Sequence, residues 1–177
     1  ETNPFLKKFY DHPKEVALAA QLSFLLQRVD QLNKLQQRDL FEQQFVSDFL
    51  IDKDPLFAQI NLSPDEFDLY TKVYASLTFE VPTPDLVIYL QAPTNNILDR
   101  IQNRSRSYEK KIDPQYIEKI NKAYSEYFYY YDASPLLIIN TSQLNLVDNE
   151  QDYEQVLNYI LKAQTGRHYF NPSFLYL

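Results

Sequence analysis

Asp85-Leu86-Val87-Ile88-Tyr89-Leu90 opens on one charge and continues with five apolar or aromatic residues. A half-exposed strand would alternate polar with apolar positions, so an unbroken run predicts a strand covered on both faces, as in a parallel sheet. A helix is expected at once afterwards, from about Thr94 to Asn103. A long helix from about Asp113 to Tyr131 then leads to a second buried strand, Pro135 to Asn140, and a last helix spans roughly Glu150 to Lys162. Strands alternating with helices give an α/β fold with a parallel β-sheet flanked by helices. Upstream, Glu80 to Pro84 reads as a proline-punctuated loop. Ser63-Pro64-Asp65-Glu66 reads as an N-cap, a first-turn proline and first-turn acids, and predicts a helix to about Leu77. Gln44 to Leu50 is a short β-leaning run. From Lys14 to about Leu40, Leu18, Leu22, Leu25, Val29 and Leu32 recur at spacings of four and three, the signature of an amphipathic helix. A proline-containing stretch, Asn3 to Pro13, precedes it.

The chain has 177 residues, enough for one well-buried core, and a single domain over 1–177 is expected. Its formal charge of -7 repels polyanions, which argues against a dedicated nucleic-acid binder; any phosphate must meet a local basic cluster. With no cysteine, disulfides, thiolate metal sites and cysteine nucleophiles are excluded, and the composition fits a cytoplasmic location. Apolar runs fall far short of the roughly 20 residues of a membrane span, and no secretory leader is visible. The chain starts on Glu1 and contains no methionine, so a natural segment upstream of Glu1 is expected.

Two clusters could carry chemistry. Arg100, Arg104 and Arg106, followed by Glu109, stand at the end of the helix after the first strand. Ligands of open α/β sheets gather beyond the carboxyl ends of the strands. The arginine fork bonds phosphate oxygens and stays charged at any working pH. The plainer alternative is a solvated helix surface. Gln21 and Arg28 are seven apart, about 10 Å along a helix, on the side bearing Leu18, Leu25 and Leu32. An amide and a guanidinium on an apolar stripe are costly unless something bonds them. They suit a nucleobase edge, or else are boundary residues with Arg28 bridging to a carboxylate. Asp48, Asp52 and Asp54 could hold a metal, orient a sugar or form a solvated acidic turn. His12 and His168 have no ligand spacing, and no metal site is assigned. The aromatic run Tyr127 to Tyr131 reads as core or subunit-interface surface in preference to a stacking site.

Asn3-Pro4-Phe5-Leu6-Lys7-Lys8-Phe9-Tyr10, taken with Gln21, Arg28, the stretch Val46 to Ala58 and Arg100 to Glu109, resembles the deoxynucleoside kinases. These are P-loop α/β enzymes, three-layer sandwiches that phosphorylate the 5′-hydroxyl of deoxyribonucleosides. The resemblance implies that Tyr10 bonds the sugar 3′-hydroxyl, since it lies eleven residues before Gln21, which would read the base with Arg28. It implies that Phe57 stacks on the base and that Glu109 shares the 3′-hydroxyl with Tyr10. Arg100, Arg104 and Arg106 would form a lid over the phosphates of ATP. Asp48 lies in Ser47-Asp48-Phe49, where many members have Glu-Arg-Ser, and the acid that members pair with the base-reading arginine falls at Lys53, flanked by Asp52 and Asp54. The family's first strand, glycine-rich phosphate loop with its Mg²⁺ ligands, and catalytic glutamate have no match within 1–177. They are expected in the upstream segment, without which this stretch would be inactive. Purines are slightly favoured, and a homodimer is expected through the first long helix and the helix after Asp113. Two other readings are a thymidylate-type nucleoside monophosphate kinase and a non-catalytic nucleotide-binding module.

Overall fold

Amphipathic spacing between residues 13 and 36 does produce one continuous helix, and the rest of the first part of the chain is arranged around it. The computed structural model describes residues 3–36, 45–77, 81–104 and 112–172. They divide into two compact units, one holding the chain up to Val81 together with Ile112, the other Pro82–Arg104 and Asp113–Pro172.

The first unit is helical. It comprises α1 (Leu6–Asp11), α2 (Pro13–Gln36), a 3₁₀ turn (Ile51–Lys53), α3 (Asp54–Asn61) and α4 (Pro64–Ser76). Helix α1 was not expected between two prolines. It is initiated by Asn3, whose side-chain oxygen accepts the Phe5 N–H (3.0 Å), a local turn that asparagine forms readily. Helix α4 starts as the sequence predicts: the Ser63 backbone N–H donates to the Glu66 carboxylate (2.9 Å), the return half of a capping box. The buried row of α2, Leu25, Val29 and Leu32, packs with Ile51, Ala58 and Tyr70, and Leu18, Leu22, Phe49 and Phe67 close around them. Truncating Leu25 to alanine in such a core costs about 2–5 kcal/mol.

The expected β-leaning run at Gln44 to Leu50 is corrected here: residues 45–50 form no strand. Ser47 Oγ accepts the Phe49 N–H (3.2 Å) and donates to the Phe49 carbonyl (2.9 Å). This local turn uses the polar groups a sheet would have needed. Phe49 goes into the core, while Phe45 and Val46 stay exposed.

The second unit is the α/β part. Its elements are β1 (Val87–Gln91), α5 (Thr94–Asn103), α6 (Pro114–Tyr130), β2 (Leu136–Asn140), α7 (Glu150–Ile160) and β3 (Arg167–Phe170). The sheet is parallel throughout, in the order β1-β2-β3, with Tyr89 opposite Ile138 and Ile138 opposite Tyr169. Strand β3 was not expected. The chain reaches it through Gly166, whose positive φ of 72° suits a residue without Cβ.

Because in-register neighbours share a face, Val87, Tyr89 and Leu136 line one side, and Leu137, Ile139 and Phe170 the other. Phe128 of α6 stacks on Tyr89 with ring centroids 4.4 Å apart, whereas Val156 and Tyr159 of α7 pack with Leu137, Ile139 and Phe170. The predicted cover of β1 on both faces therefore needs correction. Ile88 and Leu90 point to the side that α7 covers only over β2 and β3, and they remain 39% and 55% exposed. The aromatic run divides in the same way: Phe128 and Tyr131 are buried, Tyr129 and Tyr130 exposed. No helix among the described residues is long and apolar enough to cross a membrane.

Candidate functional site

In the first unit the polar groups on α2 sit within its apolar stripe. Gln21 is only 4% exposed, and among the described residues no hydrogen bond to its amide is found. Two turns further on, the Arg28 guanidinium lies over the Phe24 ring, 5.6 Å from its centroid, and forms an ion pair with Asp54 Oδ1. Asp54 opens α3 and has no exposed surface, while the Arg28 side chain keeps 24% of its own. The second carboxylate oxygen of Asp54 accepts the Tyr70 hydroxyl at 2.8 Å. Tyr70 is itself fully buried against Phe67 and Tyr74. A buried ion pair needs such extra hydrogen bonds to offset desolvation.

This acid settles a question of register. The family resemblance aligns the position of this acid with Lys53, flanked by Asp52 and Asp54, and in the structure the acid that meets Arg28 is Asp54. The 3₁₀ turn, closed by the Lys53 N–H on the Leu50 carbonyl (3.1 Å), sends Asp54 inward. Lys53 caps α3 half-buried; burial, the charge of Arg28 and, opposing them, that of Asp48 leave its ammonium with a pKa pulled down to about 8. Burial, with a neighbouring Tyr74, pushes the Tyr70 hydroxyl up, and burial raises Tyr74 as well, Asp52 adding to the effect. Asp48 lies in the exposed segment before the turn, and Phe57, half-buried, follows Lys53 by one helical turn.

Tyr10, half-buried, rides on α1 beside Phe9. Its helix is tied to α2 by buried Asn3, whose amide donates to the Ala20 carbonyl (3.0 Å), the residue before Gln21. No local pattern signals the role of Tyr70, which lies 16 residues from Asp54; the Asn3-Pro4 turn could have pointed to the Asn3 clasp.

The second unit presents a different cluster at the carboxyl ends of its strands. Thr141, which follows β2 and is buried, donates its backbone N–H (2.7 Å) and its hydroxyl (3.0 Å) to the Gln91 carbonyl at the end of β1. Arg100 reaches the same residue from α5, with Nη1 donating to the Thr141 hydroxyl (2.9 Å) and Nη2 to its carbonyl (2.5 Å). Asn96 donates to the Ser142 carbonyl (2.9 Å), and Asn121 of α6 to the Ala92 carbonyl (3.1 Å). The sequence reading did not single out Thr141. Arg104 caps the end of α5 and is exposed. Arg106 and Glu109 lie outside the described residues.

Residues 1–164 match the family model described as deoxynucleoside kinase. The chain belongs to the deoxynucleoside kinase family. It is 33% identical to the deoxyguanosine kinase of Bacillus subtilis (strain 168), over 90% of this chain and 80% of that protein. It is 30% identical to the deoxyadenosine kinase of Lactobacillus acidophilus, over 90% of this chain and 79% of that one. Among solved structures, the deoxyadenosine kinase of M. mycoides with bound dCTP superposes with a TM-score of 0.72 at 25% identity, covering 91% of this chain and 81% of its own. As a deoxynucleoside kinase the chain is a phosphotransferase, and its parallel sheet with flanking helices agrees with the P-loop kinase fold of that neighbour.

Proposed function

We propose that residues 1–177 belong to a single kinase domain and that the full-length protein moves the γ-phosphoryl group of ATP to the 5′-hydroxyl of a deoxyribonucleoside, with purines slightly favoured. The observation that carries the base-reading part is the alignment of buried Gln21 with Arg28 on one face of α2, Arg28 being fixed by Asp54 and Tyr70. Relatives named deoxyguanosine and deoxyadenosine kinase support the purine preference. Gln21 and Arg28 read the base edge, and Phe57 stacks on its face. Tyr10 and Glu109 hold the 3′-hydroxyl, and Asp48 is assigned to the sugar.

In the reaction the 5′-hydroxyl oxygen attacks the γ-phosphorus and gives its proton to a general base, the catalytic glutamate that the family resemblance implies, while the bond to the bridging oxygen breaks and ADP leaves. Arg104, Arg106 and Arg100 neutralise the charge that builds on the phosphates, the positioning and electrostatics on which phosphoryl transfer depends. Among the described residues no group of three carboxylate or imidazole side chains could hold Mg²⁺, and no step here is routed through the ion. The exposed pair Tyr129 and Tyr130 on α6 suits a homodimer seam; gel filtration at the monomer mass over a wide concentration range would count against it.

The full-length protein, given labelled ATP and each of the four deoxynucleosides in turn, is expected to phosphorylate at least one purine deoxynucleoside. Labelling of none of them would overturn the proposal.

A further inference from the structure

We infer that Thr141 is a positioning residue for phosphoryl transfer: it anchors Arg100 at the carboxyl ends of β1 and β2, and so fixes the point from which the arginines of α5 meet the phosphates of ATP. This rests on the kinase reading above and adds to it a residue that acts through Arg100 and not on the substrates.

A threonine hydroxyl carries one proton and two lone pairs. In Thr141 the proton goes to the Gln91 carbonyl (3.0 Å), which also receives the Thr141 backbone N–H (2.7 Å). Toward Arg100 the oxygen can therefore only accept. It takes Nη1 at 2.9 Å, while the Thr141 carbonyl takes Nη2 at 2.5 Å. That single proton sets the direction of the relay, from Arg100 through Thr141 to Gln91, and hydrogen bonds in such a chain polarise and strengthen one another. Thr141 is buried, so water has little access to compete for its hydroxyl.

Helix α5 makes a second contact with the same turn. Asn96, one helical turn before Arg100, donates to the Ser142 carbonyl (2.9 Å), and Arg104 follows Arg100 by another turn and is exposed. Residues four apart share a side of a helix, so the row has its first two members seated on Thr141 and Ser142 and its third open to a ligand. The place suits an anion, because ligands of open α/β sheets gather beyond the strand ends. Anchoring also leaves Arg100 usable. Thr141 engages one N–H on each of Nη1 and Nη2, a guanidinium has five, and both acceptors are uncharged, so the positive charge is not cancelled. A free arginine side chain loses much rotamer freedom when a ligand fixes it. Fixing it in the folded protein removes that loss from the reaction, as preorganised electrostatic stabilisation requires.

The test is a double-mutant cycle in kcat, run on the full-length protein with ATP and the deoxynucleoside it phosphorylates best. Thr141→Val keeps the shape of the side chain and removes the hydroxyl. Its kcat is expected to fall about tenfold, short of the roughly hundredfold that a misplacement of about 1 Å can cost, with the deoxynucleoside KM within about twofold of the parent. Thr141→Ser retains the hydroxyl and should keep kcat near that of the parent. In an Arg100→Ala background the valine substitution should change kcat by less than about twofold, because the group that Thr141 positions is gone. A merely structural role would lower kcat by the same factor with or without Arg100. Thr141→Ala takes the place of Thr141→Val in the cycle should the valine variant misfold. An unchanged kcat in Thr141→Val, a loss as large in Thr141→Ser, or factors that multiply in the double variant overturns the inference and leaves the kinase reading standing; no turnover of any deoxynucleoside by the parent removes both.

Discussion

Arg28 is held by an ion pair and an aromatic ring and Arg100 by two hydrogen bonds, and their electrical situations are opposite. Arg28 meets a fully buried carboxylate, so the pair is close to neutral. Arg100 meets a hydroxyl and a carbonyl, both uncharged, and among the described residues it has no carboxylate partner, so its full positive charge is retained. A nucleobase is neutral and is read by the direction of hydrogen bonds, which calls for a fixed arginine whose charge is already balanced. A phosphate is an anion and is met best by arginines that keep their charge. The same residue type is thus set in two electrical environments by the neighbours the fold supplies, and each suits the role proposed for it.

Asp54→Ala attacks that contrast most strongly. Removing one partner of a buried pair leaves Arg28 uncompensated, and a loss of about 3–5 kcal/mol is expected in urea unfolding; a loss near that of an ordinary surface change would mean that the pair is not buried as described. Arg104→Ala probes the other side. Turnover should fall about a thousandfold while the nucleoside KM changes little, as for arginines that stabilise a transferring phosphoryl group. Unchanged turnover would remove Arg104 from the reaction. Thr141→Val deletes the hydroxyl that accepts from Arg100 and donates to Gln91. A thermal or urea measurement should show a loss of about 1–2 kcal/mol, sharpening the distinction between a neutral brace and a charged one.

The smallest effect is in pH. Burial lowers Lys53 to about 8 in the folded protein, while the unfolded chain keeps its proton to the ordinary value of 10.5. Between these limits the unfolded state binds more protons, so stability should rise with pH. Above pH 10 the raised Tyr70 works the other way, because the folded state then retains the extra proton. Urea midpoints from pH 8 to 9.5 are therefore expected to climb in the parent and to flatten in Lys53→Gln. An equal slope in both would place the titration elsewhere.

Most regular elements were legible from pattern. The apolar run before Gln91, the proline-led start of α4 and the repeat on α2 each carry their own local cause, and Gln21 and Arg28 followed from the repeat. What escaped had no local cause. Arg167-His168-Tyr169-Phe170 is a strand because β2 lies beside it, and its polar start gives no buried-strand signal. The run after residue 44 has strand-like residues but no neighbouring strand, and Ser47 turned it back on itself. The family pattern left the acid partner of Arg28 open between the neighbours of Lys53, because only the 3₁₀ turn at Ile51–Lys53 decides which of them points inward, and Tyr70 reaches Asp54 only through tertiary packing.

The Asn3 clasp makes the distance between Tyr10 and Gln21 a property of the scaffold. Tyr10 and Gln21 belong to helices joined at His12 and stapled again where Asn3 grips the Ala20 carbonyl, so neither can slide along the other. On the proposed assignment of Tyr10 to the sugar and Gln21 to the base, a face built this way would act as a fixed gauge for the span between deoxyribose and base. Analogues lengthened by a methylene between the two rings should be rejected even where each ring alone would fit, whereas substituents that leave the span intact meet no such barrier.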